Sequence, residues 1–328
     1  MAMSSQFNVV SLFSGCGGSS LGYQMAGGKV LFAVEWDNNA VETYKLNFPD
    51  TDIYHGDIAK LSVNEILERT GLKPGELDIL DGSPPCQGFS TAGKRIVEDP
   101  RNSLFKEYIR ILRGLKPKVL VMENVSGMVK GKMKLVFAEI LRELKLSGYV
   151  VKARLMNTMY YGVPQSRQRM IFIGVRNDLS INPSHPKPQS RPVPSLIIEG
   201  IDPSKKPTLN ELGVSIWIKA KPGEIFSKYH PKGHWFNSVK LNPNKPSPTI
   251  SKTVMECGAS GIYHFDYPRV LTINELKKLA SYPDDFQFIG KFKEQWARIG
   301  NSVPPLFMKA IAEHIRDNIL SKIDGVGT

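Results

Sequence analysis

Five short apolar runs, at residues 9–13, 30–34, 53–54, 77–80 and 119–122, recur along the first third of this 328-residue chain. Each is rich in Val, Ile, Leu or Phe and too short for a helix, so each reads as a buried strand. The segments between and just after them carry apolar residues at helical spacing, for example Tyr108, Ile109, Ile111 and Leu112, or Val136, Ile140 and Leu144. Strands that alternate with helices predict an α/β fold, a mixed, largely parallel sheet with helices on both faces. In such a sheet, ligands bind just past the carboxyl ends of the strands. The residues that close each run are therefore the ones that carry information about function.

The first run ends in Ser14-Gly15-Cys16-Gly17-Gly18-Ser19-Ser20, followed by a helical start at Leu21. Strand, glycine turn and helix bring a nucleotide-like ligand close to bare backbone. Ser20 stands where a dinucleotide fingerprint has its third glycine, and no G-K-[ST] follows to grip a phosphate. A nucleoside ligand without a phosphate fits better than ATP. Glu35 closes the second run and is placed to bind ribose hydroxyls. Asp57 follows the third and could accept a hydrogen bond from an adenine amine; either acid alone could equally be a helix cap. Beyond the fourth run, Pro84 and Pro85 fix two successive φ angles and hold Cys86 in a stiff connection. A buried structural cysteine in a tight turn is the plainer alternative. Glu123 closes the fifth run. Further on, Arg167 and Arg169 flank Gln168 at the entry to another strand, where i, i+2 spacing would point both the same way and suit a carboxylate or phosphate clamp.

Forty-three Lys+Arg against 31 Asp+Glu give a net charge of +12, which suits a polyanionic partner. Residues 178–252 hold 11 Lys+Arg against 5 Asp+Glu, half of that excess, and 12 of the 23 prolines. This reads as a separate, irregular basic domain, for which Trp217, Ile218, Trp235 and Phe236 could supply a small core. Cys16, Cys86 and Cys257 lie far apart without a C-x-x-C pair, so neither a disulfide framework nor a metal site is expected. His185, His230 and His234 have no acid or thiol spaced to join them as ligands. No run of eighteen apolar residues and no secretory signal occurs, which points to no membrane and a reduced, cytoplasmic compartment. An amphipathic helix near the C-terminus, with Ile311, Ile315 and Ile319 in its stripe, needs a surface to cover. The N-terminal sheet is the economical choice.

Taken together, these motifs resemble those of the DNA cytosine-5 methyltransferases of bacterial and phage type. Leu12-Phe13-Ser14-Gly15-Cys16-Gly17-Gly18 looks like the family's S-adenosyl-L-methionine (AdoMet) loop, and Pro84-Pro85-Cys86-Gln87-Gly88-Phe89-Ser90 like its nucleophile motif. Glu123-Asn124-Val125 resembles the acid motif and Gln165-Ser166-Arg167-Gln168-Arg169 the arginine motif. Two C-terminal motifs are matched by residues 269–286 and by Gly300-Asn301-Ser302-Val303-Pro304-Pro305. The order is the family's own, and only residues 178 to about 245 stay unmatched.

The resemblance implies a Rossmann-like AdoMet-dependent catalytic domain over residues 1–177. A small domain over 178–295 would contain a mostly-β target-recognition region (about 178–245), and residues 296–328 would return to the catalytic domain. It further implies methyl transfer to C5 of a cytosine flipped out of double-stranded DNA, with S-adenosyl-L-homocysteine as product and no metal. Cys86, Glu123, Arg167 and Arg169 would be catalytic. Phe13, Gly15, Gly17, Glu35, Trp36, Asp57, Ile58, Pro85, Asn301 and Ser302 would hold the cofactor. Such enzymes are expected to be monomers associated with the nucleoid, and a cognate restriction endonuclease can accompany them. A tRNA cytosine-5 methyltransferase is the nearest rival, although no Cys-Phe-Thr occurs here. A catalytically inactive AdoMet- or DNA-binding regulator is the other, and the full set of catalytic residue types argues against it.

Overall fold

The computed structural model describes residues 7–85, 100–131, 133–202 and 208–324, and the side chains of 100–103 and 324 are outside the description. Cys86 lies outside the described residues. Two compact units emerge: residues 1–156 with 168–187 and 308–328, and residues 157–167 with 188–307.

The first unit is built on β1 (Asn8–Leu12), α1 (Gly18–Met25), β2 (Lys29–Glu35), α2 (Asn38–Asn47), β3 (Asp52–His55), α3 (Val63–Thr70), β4 (Ile79–Gly82), α4 (Pro100–Leu115), β5 (Val119–Val125), α5 (Met133–Leu146) and β6 (Tyr149–Asn157). After β7 (Gln165–Ser166), which belongs to the second unit, β8 (Gln168–Arg176) returns to the first. The sheet order is β3-β2-β1-β4-β5-β8-β6. Its first five strands are parallel, and β8 runs antiparallel to β5 over seven register pairs from Val119↔Val175 to Val125↔Arg169. Strands covered on both faces read as continuous apolar runs, and Val9, Val10, Leu12, Ile79, Leu80 and residues 119–122 are fully buried. From β1 the chain steps outward through β2 and β3, then starts again on the other side with β4 and β5. That reversal makes the ends of β1 and β4 the place for a ligand.

Local signals set the boundaries. Asp37 caps α2 by accepting from Ala40 N at 3.0 Å, and Ser62 caps α3 by accepting from Glu65 N at 3.0 Å. Near the C-terminus, α9 (Pro305–Ile315) joins the first unit from Met308 onward, where Met308, Ile311 and Ile315 are fully buried. Arg316 Nη1 donates to Ala26 O at 2.7 Å and anchors the chain there.

In the second unit, α6 (Glu211–Lys219), β9 (Asn237–Lys240), β10 (Ser247–Pro248), β11 (Ser260–Tyr263), α7 (Ile273–Leu279) and α8 (Phe292–Asn301) are joined by long irregular stretches. The strands pair only in twos, β9 with β11 and β7 with β10. The expected core of Trp217, Ile218, Trp235 and Phe236 does not form: Ile218 is 68% and Phe236 72% exposed. Interior volume is filled instead by Ile216, Phe226, Leu241, Ile262, Tyr263 and Trp296. Residue 218 follows the buried Ile216 by two, which turns it to the outer side of α6.

A buried ion pair staples this unit. Arg269 donates to both oxygens of Glu275, at 2.8 and 2.7 Å, and the two side chains are 3% and 0% exposed. Glu275 also closes a capping box with Thr272 at the start of α7. Glu275→Ala would leave a guanidinium buried without its carboxylate, a loss of roughly 3–5 kcal/mol for pairs of this kind. Urea unfolding is expected to show that loss, with Glu275→Gln retaining part of it because the amide oxygen still accepts.

Candidate active site

The loop after β1 is held open by its own backbone. Phe13 has φ +56°, a left-handed conformation that costs a non-glycine residue about 1–3 kcal/mol and is retained where surroundings over-determine it. At Gly17 (φ +94°) an added Cβ would lie 2.2 Å from the Phe48 ring, so only glycine closes this turn.

Glu35 ties that loop to β2. One carboxylate oxygen accepts from Gly15 N at 2.8 Å, and the other accepts from Trp36 N and Asp37 N, both at 2.9 Å. A carboxylate has about four acceptor positions, so three donors leave room for one more. Beside it the Trp36 side chain is 78% exposed. Asp57 accepts from Ala59 N at 3.0 Å, capping the short turn Ile58–Lys60. Ile58 is 4% exposed and belongs to the apolar core of the first unit. Among the ten expected cofactor residues, seven thus stand at the ends of β1, β2 and β3. Pro85, exposed beyond β4, also belongs to the first unit, and Asn301 and Ser302 belong to the second.

Pro84 O accepts from Asn124 Nδ2 at 3.1 Å, which joins the proline loop to the end of β5. In the sequence, Asn124 is one residue of the Glu123-Asn124-Val125 motif. Its amide turns out to hold the connection leading to Cys86.

Next to it, Arg169 Nε meets Glu123 Oε1 at 2.6 Å, with the side chains 14% and 10% exposed. The pairing follows from register: Arg169 lies opposite Val125, and Glu123 is two residues along the same face of β5. Arg167 is different. It belongs to the second unit, is 3% exposed, and donates through Nη1 to Gly300 O at 2.9 Å and Ile250 O at 3.4 Å. The expectation that both arginines point the same way gives way to this split, because Arg167 sits between β7 and β8 rather than within one continuous strand.

A carboxylate–guanidinium pair, a spare acceptor on Glu35 and a glycine loop, all at neighbouring strand ends, match the parts of an enzyme that acts on a base with a nucleoside-like cofactor. The profile of the family described as C-5 cytosine-specific DNA methylase matches residues 7–317. The chain belongs to this family. It transfers a methyl group from AdoMet to C5 of cytosine in DNA. Among its relatives, the Type II methyltransferase M1.HphI of Haemophilus parahaemolyticus is 34% identical over 93% of this chain and 86% of its own. The Type II methyltransferase M.XorII of Xanthomonas oryzae pv. oryzae is 30% identical over 95% of this chain and 85% of its own. The fold is shared with a prophage-encoded E. coli protein described as a candidate DNA modification methyltransferase, at a TM-score of 0.80 and 24% identity, covering 96% and 99% of the two chains.

The methylase also buries an acid that the sequence reading did not single out. Asp81 of β4 accepts from Ser11 Oγ at 3.0 Å and from Tyr23 OH at 3.2 Å. Burial pushes its pKa up to about 7; the two hydroxyls act downward and the charge of Glu123 upward. An aspartate inside the run Leu77-Asp78-Ile79-Leu80-Asp81 was the available signal. Among the described residues of the methylase, no cluster of His, Cys, Asp and Glu could hold a metal ion. No helix there is long and apolar enough to cross a membrane.

In the second unit, residues 228–236 form a basic and aromatic loop. The His230 ring stacks on His234 at 5.2 Å and packs on Trp235 at 4.8 Å, and Trp235 itself has φ +68°. Lys228, Lys232 and Phe236 are exposed around this stack.

Proposed function

We propose that the methylase works through a covalent adduct between Cys86 and cytosine C6. The ion pair of Glu123 and Arg169 at the end of β5, beside the tether from Asn124 to the proline loop, is the observation that carries this reading. Cytosine C5 is a poor nucleophile. Addition of the Cys86 thiolate to C6 converts the ring to an enamine whose C5 carries the electron pair. Glu123, oriented by Arg169, protonates N3 as that bond forms and accepts from the exocyclic amine. AdoMet, when bound, supplies an electrophilic methyl group and leaves as S-adenosyl-L-homocysteine. Loss of the C5 proton to a base then expels the Cys86 thiolate and restores aromaticity. Arg167 would act at a distance, fixing the turn that carries Asn301 and Ser302 through Gly300 O.

The residues present suit AdoMet. Gly15 and Gly17 put no side chain between the cofactor and the loop beside Phe13, Glu35 keeps an acceptor for a ribose hydroxyl, and Asp57 stands by for the adenine amine. Trp36 and Ile58 would pack on the adenine faces, and Pro85, Asn301 and Ser302 are the remaining cofactor residues that the family resemblance implies. No metal is needed for any step.

C6 is stacked inside a duplex, so the target cytosine is flipped out before attack. The domains are read as catalytic (1–177), target-recognising (178–295, with bases read within about 178–245) and returning helix (296–328). Lys228, Lys232 and Phe236 would meet the DNA there. We further propose a cytoplasmic monomer, gathered on the nucleoid through DNA, which a cognate restriction endonuclease can accompany.

Duplex DNA containing 5-fluorocytosine at the recognised position is expected to trap the protein as an adduct stable to denaturing electrophoresis, because fluorine cannot leave as the C5 proton does. Transfer to tRNA but not to duplex DNA would favour the rival reading. DNA affinity is expected to fall on the order of 10³-fold between about 50 and 200 mM salt if six phosphates are neutralised, measured by fluorescence anisotropy.

A further inference from the structure

Asp81 is a buried ionisable group beside the site that the chemistry above leaves unused. It lies opposite Ser11 of β1 and Val121 of β5 in the sheet. Glu123 is two residues beyond Val121, so strand alternation puts Asp81 and Glu123 on the same face. The chain continues from Asp81 through Gly82 and Ser83 into the proline loop, and from Ser11 through Leu12 into the Gly15 loop. The carboxyl thus sits beneath both, joined to β1 through the Ser11 hydroxyl and to α1 through the Tyr23 hydroxyl.

Among the described residues, the groups facing it are few. Ser11 comes from β1, Tyr23 from α1 and Glu123 from β5, with Tyr44 of α2 and Tyr108 of α4 coupled to it by charge. Burial raises the pKa of all three tyrosines, so they remain neutral hydroxyls from pH 5 to 9. Beyond them, Arg169 neutralises Glu123 from β8. Asp81 is therefore the group in this cluster positioned to change charge around neutral pH.

We propose that Asp81 is a positioning residue for methyl transfer, a buried acid between the cofactor loop and the proline loop whose charge acts on the reaction through Glu123. Two like charges one strand apart oppose each other in a dry interior. A charged Asp81 opposes a second negative charge on Glu123 and so favours the protonated carboxyl that hands its proton to cytosine N3, and a neutral Asp81 relieves that opposition. The rate then rises with pH as Asp81 ionises. This rests on the methyl-transfer reading of Glu123 given above.

The test is the pH profile of kcat/KM, from pH 5.5 to 9, for labelled methyl transfer to unmethylated duplex DNA. Wild type is expected to show an inflection near pH 7. Asp81→Asn should remove it and lower the rate at pH 8 on the order of tenfold, with KM for AdoMet within about twofold. Ser11→Ala deletes a hydroxyl that favours the carboxylate, so it should move the inflection to higher pH; this arm decides the matter if Asp81→Asn does not fold. Profiles of wild type and variants that superimpose would overturn the proposal.

Thermal unfolding without DNA or AdoMet separates this from failure of the functional reading. The folded-state pKa of Asp81 lies above its unfolded value of 3.8, so its stabilising contribution is present below that value and lost as pH rises to about 7. Wild type should lose stability relative to Asp81→Asn across that window and hold a constant difference above it. Parallel melting curves at all pH values would refute the titration itself, whether or not the protein methylates DNA.

Discussion

Cys86→Ser is expected to abolish methyl transfer while leaving DNA binding within a few-fold of wild type. Cytosine C5 gains nucleophilicity only when C6 is saturated by an attacking group, and serine supplies a far weaker nucleophile because its hydroxyl stays protonated at neutral pH. The loss in single-turnover rate should be on the order of 10³-fold or more, which corresponds to about 4 kcal/mol of barrier. Side-chain volume is nearly unchanged, so the proline loop has no reason to repack. Rapid-quench measurement with labelled AdoMet, paired with a gel-shift titration, reads both quantities. Transfer by the serine variant at even a tenth of the wild-type rate would mean that no thiol adduct is on the path.

Glu123→Gln is expected to lower kcat by about 10²–10⁴-fold, the range general acid catalysis supplies. The glutamine oxygen can still accept from Arg169, so the folded state is little disturbed. Arg169→Ala does the opposite: it leaves a 10% exposed carboxylate beside no cation, at a cost of up to about 3 kcal/mol in stability. Combining the two substitutions in a double-mutant cycle should recover part of that stability, since the uncompensated charge is then gone. If Glu123→Gln retained full activity, Glu123 would be reduced to a structural partner of Arg169. Chemical unfolding and steady-state kinetics on the same four proteins separate the two roles.

Much of this site was legible before any coordinates. Glu35 and Glu123 each close an apolar run and Asp57 follows one, and all three stand at or near the carboxyl ends of parallel strands of one sheet. That legibility has a simple cause. Central strands are mostly apolar along their buried length, so the acids that follow such runs lie at or near the strand ends, and Asp81, buried within β4, is the exception. Capping was equally readable, since Thr272 and Glu275 are local partners. What was not legible depends on contacts remote in sequence. Asn124 reaches Pro84 across 40 residues, and Asp81 meets Ser11 across 70. In the second unit, aromatic composition suggested a core, yet Phe236 and Ile218 face outward and Trp217 lies half-buried under Lys240, whose ammonium sits 3.7 Å from the ring centroid. Composition counts apolar residues; it does not say which way an irregular chain turns them.

By itself the sequence determined the reaction. The ordered glycine loop, proline-cysteine loop, acid and arginine motifs carry the resemblance to one family, and in the mechanism proposed above each supplies a group that the methylation of cytosine requires. Tertiary structure decided how those groups are held. Arg169 meets Glu123 because β8 runs antiparallel to β5 and sets Arg169 opposite Val125. Arg167, two residues earlier, serves Gly300 and Ile250 instead. Strand direction and register arise from pairing between segments more than 40 residues apart, and no local pattern encodes them.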